Sequence, residues 1–237
     1  MKVLQILPQL NIGGVERGTL DLSKALIQKG HESFVISGGG ILVDELEQLG
    51  AKHYEIPVHI KSLRTLSLAK RLSETISSID PDIVHVRSRM PAWVNYRAFK
   101  MLQKKPLLVS TFHGLYSFPI YSKVMSFVDH SIAISKTVER YILENYKLDK
   151  NDITVIPRGC DPVEFNNDEI NPDDKAEIIN EFPQIVGKTV LTIPGRITKW
   201  KGVAEFIELL SLLDDNYHGL IVGPTAKSKK KYLKRLK

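Results

Sequence analysis

The sequence predicts an α/β protein built on a doubly wound, mostly parallel sheet. Three observations carry that expectation. Seven short apolar segments recur between residues 3 and 156, stretches with helical spacing alternate with them, and glycines or prolines mark many of the joins.

Taken in order, residues 3–7 read as a strand buried on both faces. After Gly13-Gly14, the spacing of Val15, Gly18, Leu22, Ala25 and Leu26 predicts a helix that stops at Lys29-Gly30, a basic last turn followed by a glycine. Phe34-Val35-Ile36 is the second strand, closed by Gly38-Gly39-Gly40. A helix over about 42–49, a strand at Tyr54-Glu55-Ile56 and a helix over about 66–79 follow. Residues 83–86 form the next strand, and Pro91 suits the start of a helix beginning at Ala92-Trp93. Leu107-Leu108-Val109, Ser131-Ile132-Ala133-Ile134 and Ile153-Thr154-Val155-Ile156 complete the seven strands.

The texture then changes. Residues 166–174 are polar, acidic and rich in breakers, which reads as a linker, and a short helix over 175–182 follows. A second unit opens with the strand Thr189-Val190-Leu191-Thr192-Ile193, runs through a helix over 203–213 and adds the strand Leu220-Ile221-Val222. The spacing of Tyr232, Leu233 and Leu236 predicts one more helix. The expected organisation is a first domain over 1–165, a linker over 166–187 and the start of a second domain over 188–237. A sheet as small as that second one buries too little to be secure alone.

Charge narrows the function classes. The chain holds 33 Lys and Arg against 27 Asp and Glu, a formal +6, but seven of the basic residues fall within 227–237, where there is no acid. Without those seven the body carries 26 basic against 27 acidic groups. A generally basic surface is absent, so nucleic acid is not an expected partner. No apolar run approaches the roughly 18 residues a membrane span needs, and residues 1–8 lack the pattern of a signal peptide. The single cysteine, Cys160, excludes an internal disulfide and makes a reducing cytoplasm the expected location.

Several segments have residues suited to chemistry. Gly13-Gly14 joins a strand to a helix, where a ligand can approach the backbone and the helix N-terminus favours an anion; a tight turn without a ligand is the plain alternative. The dinucleotide fingerprint and the phosphate loop of P-loop NTPases are both missing. His113, in Ser110-Thr111-Phe112-His113-Gly114, stands at the carboxyl end of a buried strand, where ligands bind in open α/β sheets. His85 lies inside an apolar run and reads as a hydrogen-bonded core residue. Arg87 and Arg89 follow a strand end and are acceptor-side candidates that would clamp a phosphate or carboxylate, unless they are simply solvated. Arg196 and Lys201 straddle a loop after the first strand of the second unit, placed to neutralise a diphosphate. No His, Cys or acid cluster has metal-ligand spacing, and Cys160 reads as a packed thiol rather than a nucleophile.

Together these segments resemble glycosyltransferase family 4, whose members have the two-domain, Rossmann-like GT-B fold. The resemblance rests on five segments in order. They are Gly13-Gly14-Val15-Glu16-Arg17, Pro81-Asp82-Ile83-Val84-His85-Val86, Thr111-Phe112-His113-Gly114, Val155-Ile156-Pro157-Arg158-Gly159-Cys160-Asp161 with Phe165, and Gly195-Arg196 with Lys201-Gly202. It implies retaining transfer of a sugar from a nucleotide-sugar to an acceptor, with no obligatory metal or other cofactor. It also implies a catalytic-centre role for His113 on the acceptor side, places Gly13 and Gly14 on the donor-diphosphate or the acceptor side of the cleft, and implies donor-diphosphate binding by Arg196 and Lys201. A cell-envelope glycan, lipopolysaccharide or a lipid-linked glycan is the acceptor class the resemblance implies.

Two departures stand out. Arg158 occupies a position where the family commonly has asparagine, in its Pro-Asn-Gly motif. The family's Glu-x7-Glu motif is also missing from the second unit; Glu47 with Glu55 and Glu169 with Glu177 have that spacing but lie elsewhere. The second Rossmann-like domain is therefore expected to be incomplete, and the chain alone to be inactive unless another chain supplies the missing half. The alternative is a non-catalytic, glycan-binding remnant. Peripheral contact with the inner face of the membrane is a further expectation, from Trp93, Tyr96, Phe99 and Met101 with Arg97, Lys100, Lys104 and Lys105, and from Phe118-Pro119-Ile120-Tyr121. A helix packing those aromatics on the sheet is the competing reading.

Overall fold

The computed structural model describes residues 1–60, 67–116, 119–162, 165–166, 171–225 and 230–236, without the side chain of Lys230. The expected helix start at Leu66, and Phe118, Glu169, Lys227, Lys229 and Lys237, lie outside the described residues. The chain divides into two compact units, Met1–Gly159 and Cys160–Lys237, so the division falls before the polar stretch that reads as a linker.

The first unit contains a seven-stranded sheet: β1 (Lys2–Ile6), β2 (Glu32–Ser37), β3 (Lys52–Glu55), β4 (Ile83–Val86), β5 (Leu107–Phe112), β6 (His130–Ala133) and β7 (Ile153–Val155). Every neighbouring pair is parallel, in the order β3-β2-β1-β4-β5-β6-β7. The helices between them are α1 (Gly14–Gln28), α2 (Val43–Gln48), α3 (Ala69–Ile79), α4 (Arg89–Phe99), the short α5 (Pro119–Ser122) and α6 (Lys136–Asn145).

Period-two alternation divides the strand side chains between two apolar clusters. Leu4, Ile6, Phe34 and Ile36 join Leu72 and Ile76 of α3 and Ala92 and Val94 of α4 in the larger one. Val35 points the other way, into a smaller cluster with Leu20 of α1 and Leu46 of α2. Helices on both faces of a parallel sheet explain why its strands read as nearly continuous apolar runs.

The structure refines several expectations. Helix α4 begins at Arg89, three residues before the expected Ala92, so Pro91 lies in its first turn, where the N–H groups have no intrahelical partner to lose. The strand alternation leaves room for a helix after β6 that the apolar pattern did not mark. It is α6, started by Ser135, whose Oγ accepts from the Val138 N–H at 3.2 Å. Trp93, Tyr96 and Phe99 pack against the larger cluster rather than forming an exposed row, and the Trp93 Nε1–H donates to the Tyr121 carbonyl at 2.9 Å. Met101 and Ile120 are exposed.

Strand β1 has β2 on one side and β4 on the other, so connections leave it in opposite directions. That reversal opens a crevice outside the carboxyl ends of β1 and β4. The loop after β1 is held at its rim: the Leu10 N–H donates to the Gly39 carbonyl at 2.8 Å, and the Leu42 N–H donates to the Leu10 carbonyl at 2.9 Å. Gly40 has φ +144°, and a Cβ there would sit 2.3 Å from the Leu10 oxygen.

The second unit has α7 (Pro172–Glu181), a parallel pair β8 (Thr189–Pro194) and β9 (Tyr217–Val222), α8 (Val203–Ser211) and α9 (Lys230–Leu236). Asn171, inside the expected linker, accepts from the Asp173 N–H and starts α7. Among its described residues Val203 is the buried apolar side chain, while Leu209, Leu212, Ile221 and Val222 are exposed.

Leu72 is fully buried and Met101 is 57% exposed. Leu72→Ala is expected to cost about 2–5 kcal/mol and Met101→Ala less than about 0.5 kcal/mol. Urea unfolding followed by circular dichroism measures both.

Candidate active site

The crevice is built around a buried cation. Gln5 is the buried polar residue of β1, and its Oε1 accepts from Arg87 Nη1 at 2.8 Å. Its Nε2 donates to the Thr19 carbonyl at 3.2 Å and to Ser23 Oγ at 3.0 Å, both on α1. Arg87, just beyond β4, is 6% exposed, and its Nε has no partner among the described residues. Burial, with a contribution from Arg158, lowers its pKa to about 10 against the opposing pull of Asp21 and Glu16, so it stays charged at neutral pH. Among the described residues no carboxylate lies within ion-pairing distance of Arg87 or Arg158.

His113 follows β5, next to Gly114, whose φ of +156° favours glycine. Its Nδ1 lies 2.9 Å from Arg158 Nη2, and its buried Nε2 has no partner among the described residues. Burial, then Arg87 and Arg158, push its pKa down to about 3, so the ring is neutral. The backbone N–H of His113 donates to the Tyr116 hydroxyl at 3.5 Å, and the Tyr141 hydroxyl donates to the Tyr116 carbonyl at 2.6 Å.

Helix α1 is cut away on the side facing these groups. A Cβ on Gly18 would lie 2.8 Å from Arg158 Nη1 and 3.2 Å from Arg87 Nη2. At the helix start, a Cβ on Gly13 would lie 2.4 Å from Glu16 Oε2, because that carboxylate folds back over the turn. Arg158 Nη1 donates to the Gly14 carbonyl. Gly13, Gly14, Arg87 and His113 therefore come together, with Arg158 linking two of them.

Arg89 goes elsewhere. Its guanidinium packs over the rings of Tyr116 and Tyr121, at 4.9 and 5.4 Å from their centroids, and donates to Ser122 Oγ at 3.3 Å. His85 is the core residue its apolar setting predicts: it is 5% exposed, with Nε2 2.7 Å from Thr111 Oγ1. Cys160 is exposed, contrary to the expected packed thiol, because it falls in the irregular segment where the two units divide. Among the described residues no group of three or more His, Cys, Asp or Glu side chains is placed to hold a metal ion.

In the second unit, Arg196 and Lys201 lie exposed on the segment joining β8 to α8. Gly195 and Gly223 have φ of +143° and +153°, and a Cβ on Gly223 would sit 2.0 Å from the Gly195 carbonyl oxygen. The loops after β8 and β9 thus pack backbone against backbone, joined by the Ile197 N–H donating to the Pro224 carbonyl at 3.1 Å. Lys201 Nζ lies 4.7 Å from the centre of the Trp200 ring.

The profile of Glycosyltransferase Family 4 matches residues 12–164, a segment that includes every first-unit residue of this crevice except Gln5. The chain belongs to glycosyltransferase family 4. It is 31% identical over 156 residues to the uncharacterized glycosyltransferase MJ1069 of Methanocaldococcus jannaschii, covering 58% of this chain and 38% of that protein. Among solved structures it is similar to a glycosyltransferase of Rickettsia africae, with 33% identity and a TM-score of 0.80, covering 99% of this chain and 63% of that one. It is also similar to HepE (Alr3699) of Anabaena, solved with UDP and glucose, with 18% identity and a TM-score of 0.82, covering 100% of this chain and 64% of that one. The fold is the GT-B type. The chain spans less than two thirds of the length of each of these proteins.

Three crevice residues escaped the sequence reading of this family member. Gln5 interrupts a run that otherwise reads as apolar, and a buried amide in mid-strand signals a hydrogen-bonding duty. Gly18 passed as a helix residue, although glycine inside a helix costs about 1 kcal/mol relative to alanine. Arg158 registered only as a departure from the family motif.

Because the folded protein favours neutral His113, the unfolded chain binds its proton first, near the ordinary value of about 6.5. Stability from this residue is complete above that pH and is lost as the pH falls toward about 3. His113→Gln is expected to flatten the loss of unfolding free energy between pH 7 and 4 by about one proton's worth of slope. His85, also held neutral by burial, leaves a residual slope of the same sign. Urea titrations across that range measure the difference.

Proposed function

We propose that this chain contributes to retaining transfer of a sugar from a nucleotide-sugar to an acceptor. The observation that carries the reading is the convergence, within the first unit of a family 4 member, of the α1 N-terminus, Arg87, Arg158 and His113 at the carboxyl ends of the strands. A buried guanidinium whose side-chain partner among the described residues is a neutral amide leaves positive charge for an anionic or polyhydroxylated ligand. His113 stands at the reacting centre in this reading, and Gly13 and Gly14 lie on the phosphate side. Arg87 serves the acceptor side from inside the crevice. Arg89 serves it by holding Tyr116, whose hydroxyl meets the His113 backbone.

In the second unit Arg196 and Lys201 hold the donor diphosphate, supplying the positive charge there without a metal. That unit has a two-stranded sheet and little buried apolar surface among its described residues. We propose that turnover needs further sequence to complete it, whether on this chain or on a second polypeptide. The acceptor class is a cell-envelope glycan, such as lipopolysaccharide or a lipid-linked precursor, as the family resemblance implies. Met101 and Ile120, with the basic residues of α4 and the segment after it, are the side chains that peripheral membrane contact in the cytoplasm would use. A non-catalytic glycan-binding protein is the second reading, favoured by the location of the crevice entirely within the first unit.

Calorimetry with UDP and GDP, and release of nucleoside diphosphate from UDP- and GDP-sugars, separate the two. The transferase reading expects nucleoside diphosphate binding that weakens about tenfold or more in Lys201→Ala and Arg196→Ala. When the completed protein turns over, the product keeps the anomeric configuration of the donor, read by proton NMR. Glycan binding with no response to any nucleotide supports the second reading instead.

A further inference from the structure

Arg158 does something the family motif does not ask of that position. Its Nη1 is fixed on the Gly14 carbonyl at the start of α1, and its Nη2 lies 2.9 Å from His113 Nδ1. A guanidinium has only N–H groups to offer, so the imidazole nitrogen facing it has to accept. A neutral imidazole that accepts at Nδ1 carries its single proton on Nε2. That Nε2 is buried and has no partner among the described residues. Gly18 leaves the space in which the guanidinium reaches across: a Cβ there would lie 2.8 Å from Nη1.

We propose that Arg158 is a positioning residue that locks His113 in the Nε2–H tautomer and so makes it a hydrogen-bond donor to an oxygen of the bound substrate. The tautomer stands on the geometry alone, and only its service to a substrate rests on the reading of His113 given above. The consequence is chemical. With Nδ1 occupied and a proton on Nε2, the ring has no free lone pair. His113 is therefore a fixed neutral donor, not a general base.

The groups around the ring agree with that role. Arg158 faces it from the segment after β7, and Arg87 from beyond β4. His85 lies on β4, and Tyr116 is on the ring's own loop. Glu16 and Asp21 of α1 act on Arg87. Two cations and a buried setting oppose a second proton, so the donor form persists across the neutral range.

The test is the long-range 15N–1H NMR spectrum of the imidazole rings in the full 237-residue chain, recorded from pH 8 to 5. His113 is assigned through His113→Gln. In the unaltered protein Nε2 is expected to show the shift of a protonated ring nitrogen and Nδ1 that of an unprotonated one, with no titration. Arg158→Met keeps the length of the side chain and removes the donor. It should bring the two shifts together as the tautomers mix and move the titration upward, toward the ordinary imidazole value of about 6.5, while Arg158→Lys restores part of the separation. The amide spectrum confirms that each variant is folded. Unchanged ring shifts in folded Arg158→Met overturn the proposal. If that variant does not fold, the unaltered protein decides: an Nδ1–H tautomer, or titration of His113 between pH 8 and 5, overturns it.

Discussion

A neutral amide holding a buried cation is the interaction on which the rest of the crevice depends. Gln5 reaches from β1 to Arg87 and, through its other end, to Thr19 and Ser23 of α1. One side chain thus sets the distance between strand, helix and guanidinium. Had a carboxylate filled that place, the charge of Arg87 would be satisfied internally. The amide anchors the guanidinium without neutralising it.

The positive groups tolerate one another because the backbone makes room and burial does the rest. Gly18 admits two guanidiniums against the flank of α1, and Glu16 and Asp21 moderate the field from the same helix. His113 responds by giving up its capacity for a second proton. Pre-organised dipoles and charges of this kind stabilise developing charge with little rearrangement. The sheet supplies the rigidity: Gln5, Arg87, His113 and Arg158 are each within three residues of the carboxyl end of a strand.

Most of the scaffold was legible in the sequence, because strands buried on both faces leave apolar runs and glycines mark where the chain turns. All seven strands of the first sheet and both of the second fall where those runs predict, and His113 and Gly13-Gly14 lie at the crevice. What escaped notice did so for physical reasons. The opposite fates of Arg87 and Arg89 depend on which way α4 starts to turn, and Pro91 hid the true start of that helix. Gln5, Gly18 and Arg158 matter through contacts between residues as much as 144 positions apart, which no local pattern encodes.

The register of β1 bears on how the sheet can form during synthesis. Leu4 pairs with Phe34 on one side, but on the other its partner is Val84, so β1 emerges from the ribosome long before β4 exists. At about 5–20 residues per second, those 80 residues take roughly 4–16 s to make. Throughout that interval one edge of β1, an interior strand of the finished sheet, has no strand to pair with. The same crossover that creates the crevice thus leaves that edge unpaired until β4 has been made.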